Sequence, residues 1–87
     1  MRKLLVTTQF EKDLTKIPTE IRQKADQLIP ILLENPLDAQ LNIRKIRDIK
    51  ARVYRVRVGQ YRLTYSFTET SLTLHRFRHR KDVYRNI

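Results

Sequence analysis

The chain has 87 residues, no cysteine, a single glycine and a formal net charge of +10. That length supports one domain with a thin core, taken here as residues 1–87. The composition excludes a disulfide framework and a thiolate metal site, and no apolar run is long enough to cross a bilayer. The basic-then-apolar start from Arg2 to Val6 is too short for a signal peptide, so the expected location is the cytoplasm, with no membrane partner.

Lys3 to Thr7 reads as a short strand. Thr8-x-x-Glu11 has the form of a capping box and should open a helix in which Phe10, Leu14 and Ile17 share one face. Pro18 ends it, because the residue before a proline avoids helical geometry. A second helix is expected from about Thr19 to Glu34, with Ile21, Ala25, Leu28 and Leu32 as its buried stripe. Pro30 lies inside that helix and should kink it by removing a hydrogen bond. Asn35-Pro36 closes it.

From residue 41 the period changes to two. Leu41, Ile43 and Ile46 give weak support for a strand. Val53 to Val58 and Tyr61 to Phe67 are clear, and Gly59-Gln60 between them has the pattern of a type II′ hairpin turn. That turn places Val58 opposite Tyr61, Val56 opposite Leu63 and Tyr54 opposite Tyr65 on an apolar side. It places Arg57 opposite Arg62 and Arg55 opposite Thr64 on the other side. A last strand, Leu72 to Phe77, does not alternate cleanly and is therefore central or bulged. The expected fold is α+β, with two N-terminal helices packed on one face of a small, mainly antiparallel four-stranded sheet whose other face bears arginines.

Residues 1–43 hold six bases and six acids, whereas residues 44–87 hold thirteen bases and three acids. A neutral scaffold thus carries a basic surface that attracts polyanions. An acidic protein segment would suit it as well. Arg57 facing Arg62 is informative, since like charges across an antiparallel pair destabilise a hairpin. A phosphate between them would convert repulsion into charge-assisted contacts. Arg44, Lys45, Arg47, Lys50, Arg52, Arg76, Arg78, Lys81 and Arg85 are further candidates for RNA contact. His79, set among Arg78, Arg80 and Lys81, is a candidate to exchange a proton. Tyr84 could stack on a base, donate its hydroxyl proton, or anchor the tail to the core.

No metal-ligand spacing, Gly-rich phosphate loop, Ser-His-Asp set or carboxylate pair stands out, so no metal or other cofactor is expected. RNA permits phosphoryl chemistry on such terms, because its 2′-hydroxyl is a built-in nucleophile that needs only orientation, proton transfer and charge stabilisation.

The hairpin Val53-Tyr54-Arg55-Val56-Arg57-Val58-Gly59-Gln60-Tyr61-Arg62-Leu63-Thr64-Tyr65, the tail His79-Arg80-Lys81-Asp82-Val83-Tyr84, the early Phe10-Glu11-Lys12-Asp13-Leu14 and the later Leu32-Leu33-Glu34-Asn35-Pro36 resemble the RelE/ParE family of toxin–antitoxin toxins over nearly the whole chain. The resemblance to the RelE branch implies cleavage of messenger RNA, typically in the ribosomal A site, and a small antitoxin that covers the basic face. It implies catalytic roles for Arg55, Arg57, Arg62, Arg80 and Tyr84. The family often has lysine where this chain has Arg55 and Arg57. Arginine is a poor general base, which shifts the proton chemistry toward His79 and Tyr84. The expected function is therefore a metal-independent endoribonuclease toxin that inhibits translation. The alternatives are a ParE-like inhibitor of DNA gyrase and a basic RNA-binding module without activity.

Overall fold

The computed structural model describes residues 2–41, 43–45 and 53–81. In chain order the elements are β1 (Lys3–Val6), α1 (Thr8–Leu14), α2 (Thr19–Glu34), β2 (Ile43–Lys45), β3 (Val53–Val58), β4 (Tyr61–Phe67) and β5 (Ser71–His79). The sheet has five strands, not the four expected, in the order β1-β5-β4-β3-β2. It is mixed: β1 runs parallel to β5, and the other neighbours are antiparallel.

The hairpin has the expected register, with Arg57 opposite Arg62, Val56 opposite Leu63 and Tyr54 opposite Tyr65. Gly59 takes φ +62° and no described non-glycine residue has a positive φ. Gln60 therefore lacks the second positive φ that a type I′ turn needs, which leaves type II′. β5 is both central and bulged. Thr64 pairs with Arg76 but Tyr65 pairs with Leu74, so His75 is the extra residue.

Both helices feed one core, and so does the turn between them. α1 ends at Leu14, short of Pro18, so Ile17 is buried from the turn and not from the helix face expected of it. Phe10 and Ile17 join Ala25 and Leu32 against Val56, Val58, Leu63, Tyr65, Leu72, Leu74 and Phe77. Phe10 stacks on Phe77 with ring centroids 5.8 Å apart. The Tyr65 ring is fully buried, and its hydroxyl donates to the Pro36 carbonyl, which holds the segment after α2 to the sheet. Burial, and secondarily Tyr54, pushes the Tyr65 hydroxyl far above the usual tyrosine range. α2 continues through Pro30. The chain start is tied to the other end of the sheet by Arg2, whose guanidinium donates to Thr68 O at 2.7 Å and lies 5.5 Å from the Phe67 ring centre.

The placement of the helices on a single face holds only in part, because α1 also closes a sheet edge. β1 stops opposite Leu74, which exposes the outer edge of β5 beyond it. Side chains near α1 continue the ladder there. The Thr7 hydroxyl donates to His75 O at 2.9 Å, and the Asp13 carboxylate accepts the Phe77 N–H at 2.9 Å. The cap of α1 is Thr7, one residue earlier than the capping box indicates, with its hydroxyl accepting the Phe10 N–H. One hydroxyl thus serves a helix start and a strand edge together.

Candidate nucleic-acid interface

Strand alternation sorts the sheet residues. Side chains beside buried Leu63, Tyr65, Leu72, Leu74 and Phe77 point away from the helices. Three of them form a row across the sheet, with Arg57 opposite Arg62 and Arg62 opposite Arg78. Adjacent strands lie about 4.8 Å apart, so three guanidinium-bearing positions fall within a width of about 10 Å. The next row is Arg44, Arg55, Thr64 and Arg76.

The members of these rows differ in setting. Arg57 and Arg44 are exposed, and Arg55 is half-buried. Arg62 is only 8% exposed, and its Nη1 donates to Tyr61 O at 3.2 Å. The Arg78 Nε is buried and has no hydrogen-bond partner among the described residues. A buried donor left unpaired is costly. An anion lying on the row would supply the missing acceptor. Arg76 differs again. It makes two bonds to the Asp13 carboxylate, at 2.9 and 3.2 Å, and that hydrogen bonding raises its guanidinium's already high pKa. This candidate for RNA contact is thus paired with a carboxylate at the edge of the sheet.

The bulge changes the place of His79. Its partner across the ladder is Tyr61, on the side of the core. Its ring packs edge-on to Tyr61 at 5.1 Å, and its Nδ1 accepts the Lys81 N–H at 3.2 Å. The sheet thus lies between the His79 ring and the Arg57–Arg62–Arg78 row. Arg80 follows the strand, donating its N–H to Gln60 O at 2.8 Å, and the Arg80 and Lys81 side chains are exposed. Lys45 is described by its backbone, opposite Tyr54. Tyr84, Arg47, Lys50, Arg52 and Arg85 lie outside the described residues.

Two features had no clear sequence signal. One is the place of Arg78 at the β5 end of the row, which follows from the parity change at His75. The other is a polar pair on the open face, Ser66 Oγ and His75 Nε2, 2.7 Å apart. Burial holds the His75 imidazole below its ordinary pKa.

Residues 4–84 match the family model for the ParE toxin of the type II toxin–antitoxin system parDE. Toxin RelE3 of Methanocaldococcus jannaschii is 34% identical over 84 residues, covering 94% of this chain and 94% of the relative. The chain belongs to the RelE/ParE toxin family. Among solved structures, the RelB–RelE antitoxin–toxin complex from Methanococcus jannaschii is similar at TM-score 0.80 and 30% identity, covering 95% of this chain and 98% of that one. The Escherichia coli DinJ–YafQ complex shares the fold at TM-score 0.79 and 19% identity, covering 97% of this chain and 99% of that one. The chain is thus a RelE-family toxin of a toxin–antitoxin system. No described helix is long and apolar enough to cross a membrane.

Proposed function

We propose that this RelE/ParE-family chain is an endoribonuclease that cuts messenger RNA, in the ribosomal A site, and so stops translation. The observation that carries this reading is the Arg57–Arg62–Arg78 row with its unpartnered, buried Arg78 Nε. In the proposed reaction the RNA 2′-hydroxyl loses its proton and attacks the adjacent phosphorus. The bond from phosphorus to the 5′-oxygen breaks, and that oxygen takes a proton. The products are a 2′,3′-cyclic phosphate and a 5′-hydroxyl. Arg57, Arg62 and Arg78 stabilise the charge that builds on the phosphoryl oxygens, with Arg55 and Arg80 holding flanking phosphates. Such stabilisation needs no metal. His79 faces the core side, so Tyr84 is the stronger candidate to move a proton.

The partner in this reading is a small antitoxin with an acidic segment laid along the arginine face. RelE and YafQ relatives were solved bound to RelB and DinJ, which supports such a partner. Primer extension on transcripts from cells expressing the chain tests the activity, with discrete internal 5′ ends expected soon after induction. The ParE family match favours a second reading, in which the chain poisons a DNA topoisomerase. An early DNA-damage response with intact transcripts would establish that reading instead.

A further inference from the structure

The open face of the sheet has two chemically different ends. One end carries the arginine rows. Four residues along β4 from Arg62, about 13 Å away, the register row is Val53, Ser66, Thr73 and Leu5, with the bulged His75 beside it. None of these side chains is a fixed cation, and the one base nearby, exposed Lys3, stands a row further out, opposite Ser71 on β5. Arg76, which could have made this end cationic, is neutralised by Asp13 at 2.9 Å. The half-buried His75 ring stands on the open side, because its Nε2 meets the Ser66 hydroxyl, and Ser66 lies between core-facing Tyr65 and Phe67.

Phosphates seek cations, whereas a splayed base seeks a flat ring and neutral donors and acceptors. Hydroxyl and imidazole supply both. Because the shared proton can lie on either side of the Ser66–His75 contact, the pair can present a donor or an acceptor to a base edge. Resting on the RNA reading above, we infer that Ser66 and His75 form a nucleobase subsite that sets which nucleotide lies beside the one whose phosphate occupies the arginine row. The bulge builds this site. Without the extra residue, the strand's parity would turn either His75 or Arg78 away from the open face.

The test is fluorescence anisotropy of the purified full chain with short single-stranded oligo-A, oligo-C, oligo-G and oligo-U of equal length, at two salt concentrations. The wild type should rank the four bases, with about tenfold between best and worst. Ser66→Ala and His75→Gln should each compress that ranking severalfold while leaving the salt dependence unchanged. Arg57→Ala should weaken all four alike and reduce the salt slope by about one. Thermal melts identify a variant that has lost its fold, in which case the other one decides. An unranked wild type, an unchanged ranking in the folded variants, or uniform weakening by them overturns the subsite. If the wild type cuts transcripts while its ranking is flat, only the subsite falls. If it neither binds nor cuts RNA, both readings fall.

Discussion

The Asp13 carboxylate accepts the backbone N–H of Phe77 at 2.9 Å across 64 residues of sequence, at the edge that β1 leaves uncovered. The same oxygen receives Arg76 Nε at 2.9 Å. Asp13→Ala would strand a strand-edge donor and release a partly buried cation. We expect a loss of about 2 kcal/mol, since a charged acceptor to a backbone donor is being removed. For a chain of this size that is a fall of about 10 °C in Tm by circular dichroism. Asp13→Asn keeps an acceptor and should lose less than Asp13→Ala.

Arg57 separates function from stability better than Arg62 does. Both lie in the phosphate row, but Arg62 is 8% exposed and hydrogen-bonded to Tyr61 O, so its removal disturbs packing. Arg57 is exposed and sits across from a like charge. Arg57→Ala should leave Tm within a degree or two and lower single-turnover cleavage of ribosome-programmed messenger RNA about a hundredfold. Normal cleavage by the variant would remove Arg57 from the mechanism.

His75 gives the fold a pH dependence of definite sign. Burial places its folded pKa below the ordinary 6.5, so the unfolded chain binds the proton more readily. The contribution of His75 is fully present above about pH 6.5 and is lost as pH falls toward its folded value. Urea titrations of wild type and His75→Gln from pH 8 to pH 5 should show the wild type losing more stability, by less than about 1.4 kcal/mol per pH unit. Parallel losses would show that His75 contributes no such linkage.

Gly59 is required twice over. Its φ of +62° suits only glycine among common residues, and a Cβ built there would sit 3.0 Å from Ile21 Cδ1 on α2. Gly59→Ala should cost about 1–2 kcal/mol from the backbone alone. A lowered midpoint with an unchanged m-value in urea is the expected result.

The hairpin was legible because two local signals agreed. The Gly59-Gln60 turn and the alternation of Val56, Arg57 and Val58 each specify the same register. α2 was legible from its stripe, since Pro30 did not end it and Ala25 and Leu32 are buried as their spacing indicates. The pairing of β1 with β5 was not legible, because Lys3 meets Ser71 through a parallel contact with no turn between them. Nor was the face of His79. One extra residue at His75 inverts the parity of everything after it, so His79 and Arg78 exchange the sides that uninterrupted alternation from Leu72 and Leu74 assigns. Asp13 had no signal at all, since its partners come from a strand edge that forms only in the tertiary structure.

The position of β1 has a consequence for how the chain comes into being. Its four residues are made well before their ladder partners, Ser71 to Leu74. The Thr7 and Asp13 edge contacts wait on His75 and Phe77 as well. Closing so long a loop is entropically costly and slows folding. A nascent chain therefore cannot complete its sheet until β5 has left the ribosome. The arginine row, whose third member is on β5, does not exist before that moment. Synthesis thus withholds the assembled surface until β5 has emerged.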